Sequence, residues 1–124
     1  TSSAASDVYK RQRMVYGCLL FIIGHIFGWF AGNSQFVWSY WENKPIFATI
    51  LFGIPAGLAF WYGTKYCFEA TGELWSVRFT AAVFSYITFP IMTWYYMQES
   101  MFTIKTMSCV FLAFLILMIQ MFVK

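Results

Sequence analysis

The chain has few charged residues. Aspartate, glutamate, lysine and arginine make up 10% of its 124 residues, whereas 60% are hydrophobic and 23% are aromatic. Soluble domains carry about 25% charged residues, so this chain lacks the polar surface needed to cover a hydrophobic core in water. Its mean hydropathy of +0.63 agrees with that conclusion. We therefore expect a protein whose solvent is lipid.

The residue types that usually carry chemistry are also rare. Cys18, Cys67 and Cys109 are far apart and form no CxxC pair or metal-ligand spacing, so we interpret them as small apolar packing residues. There is no HExxH motif and no glycine-rich phosphate loop. A nucleophile would need the single histidine, His25, as its base. We therefore expect no catalytic site, no metal site and no cofactor, and a protein that is not an enzyme.

Long apolar blocks fill most of the chain. Because a helix of about 20 apolar residues crosses a bilayer, they predict spans over residues 14–31, 46–68, 77–97 and 106–123. Backbone groups in lipid must be satisfied within each segment, and the alternation typical of barrel strands is absent. The sequence predicts an all-α integral membrane protein, a four-transmembrane-helix bundle crossing the lipid bilayer several times, with loops over 32–45, 69–76 and 98–105.

The first residues differ from the rest. The string TSSAASDVYKRQ resembles translated sequencing-adapter read-through, so we interpret residues 1–13 as a non-native or disordered N-terminal tail, and Met14 as a candidate native start. The alternatives are a short cytoplasmic tail and a signal-peptide n-region. A signal peptide needs a shorter apolar run with a small-residue cleavage site, which favours a retained first span.

Positive charges are distributed unequally between the two faces. Loops alternate sides, and cytoplasmic loops carry the excess of lysine and arginine. The first and third loops, on the face opposite both termini, hold Lys44 and Lys105. The other face holds Arg13, Lys65, Arg78 and Lys124, with Lys10 and Arg11 added by the tail. We expect both termini on the cytoplasmic side of a bacterial or phage-infected host inner membrane. With no Lys/Arg run interleaved with aromatics, no nucleic-acid partner is expected.

Tryptophan and tyrosine residues cluster at the ends of the predicted spans. Trp38, Tyr40 and Trp41 precede the second span, and Trp94 and Tyr95 end the third. Such rings favour the membrane interface because they are apolar with one polar end. We interpret them as an aromatic belt; the alternative is a cation-binding aromatic cage.

Glycines recur at four-residue spacing in two spans. Faces of small residues let helix backbones approach closely in membranes, so we predict helix packing through them, with a substrate groove as the alternative. The first span carries Gly24, Gly28 and Gly32, and the second carries Gly53 and Gly57.

Prolines lie near the middle of the second and third spans. Pro55 and Pro90 each remove a backbone donor and displace the carbonyl four residues earlier. Interrupted helices at mid-membrane depth bind substrate in many transporters, although proline is also common in other spans. Ser85, Thr88 and Thr93 flank Pro90, where they either satisfy the backbone or line a cavity.

His25 is the one ionisable residue well inside a predicted span. Such groups usually face the bundle interior and often mark proton or ion paths, and imidazole changes charge near neutral pH. The candidate substrate or proton path therefore comprises His25, Ser85, Thr88, Thr93 and the two prolines. The alternative is a neutral histidine bonded to a neighbouring carbonyl or hydroxyl.

Four charged residues follow one another at the end of the second span and the start of the third. Lys65, Glu69 and Glu73 have i, i+4 spacing, which predicts a Lys65–Glu69 pair, and Glu73 caps the third span or pairs with Arg78. We interpret these four as a cytoplasmic rim; the alternative is a gate or ion-access site.

The second half of the chain resembles a known family. The stretch from Gly72, GELWSVRFTAAVFSYITFPIMTWYYMQESMFTIKTMSCVFLAFLILMIQMF, is similar to the terminal hairpin of the drug/metabolite transporter superfamily. In that hairpin a span with a central proline ends in a short acidic turn before a final span; Pro90 and Glu99 take those places here. Four short spans also resemble the small multidrug resistance branch, whose members act as proton-coupled dimers. A glutamate in the first span does the coupling there; here the first span has His25 instead.

Two functional hypotheses follow. The resemblance implies a carrier of a small molecule that acts as a homodimer. The alternative is a non-transporting membrane protein, such as an assembly factor, a membrane-remodelling protein or a phage holin. A transporter should have a water-accessible cavity that reaches His25, Ser85 or Thr93, whereas a structural bundle should have these residues packed and dry.

Overall fold

A computed structural model describes residues 2–123, and every regular element in that range is helical. Helix α1 is Ser2–Val37, α2 is Pro45–Thr71, α3 is Leu74–Met97 and α4 is Ile104–Phe122. A single 3₁₀ turn, Ser39–Trp41, lies between α1 and α2. The all-helical class and four helices are confirmed. The first three helices are long and apolar enough to cross a membrane, and α4 is a shorter apolar helix.

Helix α1 is much longer than the predicted first span. Residues 2–13, interpreted from the sequence as part of a non-native or disordered tail, are helical from Ser2, and the helix continues past Ala31 to Val37. Residues 2–13 contain no glycine or proline, and adding a residue to an existing helix is far easier than nucleating one. The apolar block therefore supports a helix that extends beyond it at both ends. Thr1 and Lys124, which the tail and orientation arguments include, lie outside the described residues.

Proline affects α2 and α3 differently. In α2 the residues before Pro55 form a π-helical turn, Thr49–Gly53. This wider turn accommodates the ring and the Leu51 carbonyl, whose amide partner proline removes. In α3, Pro90 lies inside a helix that continues from Leu74 to Met97. Of these two prolines, only Pro55 therefore changes the helix type.

A two-residue turn joins α2 to α3. Gly72 has φ +77°, which L side chains rarely adopt, and its amide donates to the Phe68 carbonyl at 2.8 Å. Glu73 is the extended residue at the start of α3, and its carboxylate accepts from the Ser76 hydroxyl at 2.6 Å. The loop predicted over 69–76 thus consists of only Gly72 and Glu73 in the structure. Because the turn is so short, α2 and α3 are antiparallel neighbours.

The core lies where α1, α2 and α3 meet. Phe21, Cys67 and Val77 form its buried centre, and Met14 and Phe60 are among the residues packed against it. Helix α1 packs most extensively against α2 and next against α3, whereas α4 packs chiefly against α3. Leu117 is the one buried residue among the side chains described for α4. The molecule is thus three closely packed helices with a fourth along one side.

The closest helix approach uses different glycines from those predicted. A side chain at Gly17 of α1 would meet Cys67 and would lie 3.1 Å from the Gly63 carbonyl oxygen; one at Gly63 would lie 2.9 Å from the Phe21 ring. Of the glycines predicted to pack, Gly24 comes close to a neighbouring helix, because a Cβ added there would lie 3.1 Å from the Phe60 ring. Gly53 would meet a side chain of its own helix, and Gly28, Gly32 and Gly57 face open space.

Candidate functional site

A half-enclosed groove of about 730 Å³ lies between α3 and α4, and side chains of α1 and α2 form its floor. It brings together four members of the predicted path, namely His25, Ser85, Pro90 and Thr93. The rest of its lining comprises Phe21, Phe60, Thr64, Val77, Arg78, Ala81, Ala82, Tyr86, Phe89, Glu99, Ser100, Met101, Thr106, Cys109 and Val110. Its walls are mostly apolar, with hydroxyl groups spaced along them.

His25 is positioned by two contacts on the groove floor. Its Nε2 lies 2.9 Å from the Ala81 carbonyl oxygen, and its ring meets Phe60 edge-on at a centroid distance of 4.9 Å. A carbonyl oxygen only accepts hydrogen bonds, so Nε2 carries the hydrogen. In the neutral ring, Nδ1 is then the acceptor. The histidine is thus bonded to a neighbouring carbonyl and also lines the groove, while its role in a proton path stays a prediction.

The helical repeat of α3 decides which of its polar residues reach the groove. Ser85, Phe89 and Thr93 succeed one another at four-residue spacing and share one face. Thr88 is 6% exposed and is absent from the groove lining. It therefore packs in the interior and is separate from the groove.

Pro55 and Pro90 were both predicted to line the candidate path, and of the two only Pro90 lines the groove. Pro90 lies in the groove wall beside Tyr86. Because Pro90 has no amide hydrogen, the Tyr86 carbonyl lacks its helical donor and offers an additional acceptor there. Pro55 follows the π-helical turn, which packs against α1, and does not line the groove.

The groove has a cation at one end and a carboxylate near the other. Arg78 and Thr93 are fifteen residues apart on α3, about 22 Å at the helical rise, and Glu99 lies beyond Thr93 in the turn before α4. This length approaches the thickness of a hydrocarbon core, about 30 Å. The lining therefore changes from cationic to apolar and then to acidic along its length.

Aromatic rings pack together at the end of the bundle that holds the two longer loops, which we call the distal end. Phe30 is at the centre, with ring centroids of Trp29, Trp38, Phe52 and Tyr96 between 5.4 and 5.9 Å away. These rings come from α1, α2, α3 and the first loop. They form a packed aromatic cluster where the sequence suggested an interfacial belt.

Two further contacts define this distal end. The Trp29 indole donates to the Thr93 hydroxyl at 3.0 Å, which connects the aromatic cluster to the groove wall. Lys44 places its ammonium 3.3 Å from the centroid of the Tyr40 ring. The face of Tyr40 that a cation-binding cage would offer is therefore already covered by a cation of the chain itself.

The predicted rim divides into separate sites at the amino-terminal end of the bundle. Glu69 pairs with Arg13 of α1 at 3.5 Å and not with Lys65. Lys65 lies 5.9 Å from the centroid of Trp61. Glu73 begins α3 and Arg78 lines the groove. Within residues 2–123, the Arg13–Glu69 contact is the one ion pair.

Sequence reasoning missed the partners on α1. Arg13 lies over the Tyr9 ring at 4.8 Å and the Tyr66 ring at 5.1 Å, and the Tyr9 hydroxyl lies 3.5 Å from Glu69. The i, i+4 rule considers one helix at a time, so it pairs Lys65 with Glu69. The predicted orientation places Arg13 and the loop that begins at Glu69 on the same side of the membrane. That shared side could have identified the correct partner from the sequence.

Metal-ligating residues do not gather in the described part of the chain: no group of three or more His, Cys, Asp or Glu residues lies within reach of one ion. Comparison of the chain with protein-family models, curated proteins and solved structures gave no match. Functional inference therefore depends on the groove itself.

Proposed function

We propose that this protein is a membrane-embedded carrier that binds a small, mostly apolar molecule in the groove between α3 and α4. The observation that carries this proposal is that one cavity is lined by His25, Ser85 and Thr93. We expected these residues to line a cavity in a transporter and to be packed and dry in a structural bundle. The resemblance of residues 72–121 to the terminal hairpin of drug/metabolite transporters supports the same function.

The groove chemistry suggests how such a molecule is held. Phe60 and Phe89 offer ring faces to an apolar body. The hydroxyls of Ser85 and Thr93 and the imidazole of His25 provide the few polar contacts that fix orientation in mostly apolar sites. Because Nε2 of His25 is bonded to Ala81, Nδ1 is the ring nitrogen left as an acceptor.

A homodimer is part of this proposal. Helix α4 packs chiefly against α3, and the groove beside it is only half enclosed. A second copy on that side completes the wall and gives the bound molecule a path between two subunits. Both termini are cytoplasmic in this arrangement, which places the Arg78 end of the groove at the cytoplasmic side. Chemical cross-linking in native membranes should yield a dimer, and a purely monomeric product would contradict it.

The direct test is uptake into vesicles reconstituted with the purified protein. The probes are radiolabelled small aromatic solutes that are neutral, cationic or anionic. At least one should enter faster than into protein-free vesicles, and Ser85→Leu, which fills the groove, should reduce this uptake at least tenfold. Ser108→Leu is the matched control, because Ser108 lies on α4 outside the groove.

Two results would contradict carrier function. One is uptake equal to that of protein-free vesicles for every probe. The other is equal loss of uptake in both leucine variants, which would assign the effect to general damage. For His25→Ala, a pH dependence of uptake identical to that of the unaltered protein would remove the proton-path role.

The second candidate, a non-transporting membrane protein, has one observation in its favour. The aromatic cluster around Phe30 joins α1, α2, α3 and the first loop at the distal end, which suits a rigid scaffold better than a moving carrier. A holin would release an entrapped dye such as calcein from vesicles, whereas a carrier leaves such vesicles sealed. Dye release without selective uptake would favour this alternative.

A further inference from the structure

The groove between α3 and α4 differs at its two ends in both charge and cover. Arg78 lines the amino-terminal end, and Glu99 lies at the distal end. Helix α4 contributes Thr106, Cys109 and Val110, and none of its described residues after Val110 lines the groove. The distal end is therefore covered by α4, whereas the described part of α4 leaves the Arg78 end open.

The guanidinium of Arg78 is available to a ligand. Arg78 is exposed, and in the described part of the chain no carboxylate lies within ion-pair distance of it. The two carboxylates nearest in sequence have other partners. Glu69 pairs with Arg13 at 3.5 Å, and Glu73 accepts a hydrogen bond from the Ser76 hydroxyl at 2.6 Å. Because a guanidinium presents a planar fork of donors that matches a carboxylate, this end of the groove suits a ligand with one negative charge.

In the membrane arrangement proposed above, Arg78 lies near the depth of the lipid head groups. It follows Leu74, the first residue of α3, by four residues, which is about 6 Å along the helix axis. Long basic side chains near the end of a span keep their charge in water and their stem in the apolar region. Trp75 is exposed in the same first turn, and indole rings favour the interface. A ligand anion at Arg78 therefore stays at the membrane surface.

The groove beyond Arg78 has the shape needed by an extended apolar chain. Small side chains follow the cation along the wall, first Ala81 and Ala82 and then Ser85. The distance from Arg78 to Thr93 is about 22 Å at the helical rise. A lipid chain in one leaflet covers about half of the 30 Å hydrocarbon core, or about 15 Å. One extended acyl chain therefore fits along the groove.

We propose that the molecule bound in this groove is a long-chain fatty-acid anion, with its carboxylate on Arg78 and its acyl chain between α3 and α4. This inference rests on the proposed function, because it takes the same groove as the ligand site and names the class of ligand. Glu99 at the distal end repels a carboxylate, so the charges fix the direction in which the chain lies. Because the groove is only half enclosed, the chain can enter it from the bilayer.

The test is electron spin resonance of spin-labelled stearic acid in phosphatidylcholine vesicles that contain the purified full-length protein. The spectrum separates probe held immobile by the protein from probe that moves freely in the bilayer. At alkaline pH, where the acid is ionised, stearate should be immobilised in preference to its methyl ester by about tenfold, the factor expected for one charge-assisted hydrogen bond.

Two substitutions at Arg78 and one matched control locate the carboxylate. Arg78→Gln should remove the preference for stearate over the ester, and Arg78→Lys should keep part of it, because lysine retains the charge and lacks the fork. Lys65→Gln removes the same charge at the same end of the bundle, and Lys65 lines a different cleft, so this variant should bind as the unaltered protein does. Circular dichroism ensures that each variant is compared as a folded protein.

Three results would overturn the inference. One is equal immobilisation of stearate and its ester by the unaltered protein. Another is an unchanged preference in folded Arg78→Gln. The third is equal loss in Arg78→Gln and Lys65→Gln, which would assign the preference to general surface charge.

The carrier function fails separately from this inference. Preference for stearate without uptake of any solute supports the fatty-acid site and contradicts the carrier. Uptake of another solute without preference for stearate supports the carrier and overturns the fatty-acid site.

Discussion

The contact between α1 and α2 and the contact between α3 and α4 are opposites. In the first, the backbones at Gly17 and Gly63 approach so closely that a methyl group fits at neither residue. In the second, a groove of about 730 Å³ opens between the helices, although the Tyr86 and Phe114 rings still meet with their centroids 6.0 Å apart. Small residues at a helix crossing let the two backbones approach closely. The tight pair forms a frame, and the loose pair leaves space for a ligand.

The largest expected loss of stability comes from disrupting the aromatic cluster around Phe30, which joins α1 to α2 and α3 at the distal end. Phe30→Ala removes the ring at its centre and should lower the free energy of unfolding by about 2–4 kcal/mol, near the range for buried aromatic truncations. Phe111→Ala on exposed α4 is the control, with an expected change of about 0.5 kcal/mol or less. Unfolding in mixed micelles followed by circular dichroism measures both. Equal losses would mean that α4 is as tightly packed as α1.

Gly17→Ala tests the close approach directly. The added methyl would meet Cys67 and the backbone of Gly63 and Cys67, so the helices must separate, at a cost of about 1–3 kcal/mol typical of overpacking. Gly28→Ala is the matched control because a Cβ there meets nothing within 4 Å. Since alanine is the better helix former, this control should be neutral or slightly stabilising. A stable Gly17 variant would place the critical approach elsewhere.

These two contacts also explain what the sequence could and could not predict. Long apolar blocks predicted the helices, because span length is a property of one segment. Regular spacing selected Gly24, Gly28 and Gly32, yet only Gly24 meets the neighbouring helix, because the crossing point depends on the partner. Ala59, Gly63 and Cys67 are buried small residues at four-residue spacing, a pattern that a search for glycines alone misses, and Gly17 and Gly63 belong to no four-residue repeat of glycines. Their importance arises only when two helices cross.

The groove was partly predictable for a related reason. Polar residues inside apolar spans are few, so His25, Ser85 and Thr93 could be identified from the sequence alone. Which face of α3 is open depends on where α4 lies, and this distinguishes Thr93 from buried Thr88. In the structure α4 is the least buried helix, with Leu117 the one buried residue among its described side chains.

The start of α4 offers a smaller test on the loose side. The Thr103 side chain accepts a hydrogen bond from the Thr106 amide, and replacing such a cap with alanine costs about 1 kcal/mol. With few tertiary contacts to hold the helix start, Thr103→Ala should increase hydrogen exchange at the Thr106 amide about fivefold. Ser108→Ala is the control, because its hydroxyl bonds only to the Ile104 carbonyl of its own helix. Unchanged exchange at Thr106 would show that packing, and not the cap, fixes this end.

The smallest effect should come from the ion pair that joins α1 to α2. Arg13 and Glu69 are each about 30% exposed, and their charged atoms are 3.5 Å apart, so solvent screens the attraction and Glu69→Gln should cost about 0.2–1 kcal/mol. High salt should remove even this difference, since exposed charges are screened within a few ångströms at molar ionic strength. Glu42→Gln, which changes the net charge by the same amount and leaves the pair intact, is the control for the change in net charge. A loss from Glu69→Gln as large as that from Gly17→Ala would show that the charged end, and not the glycine crossing, holds α1 against α2.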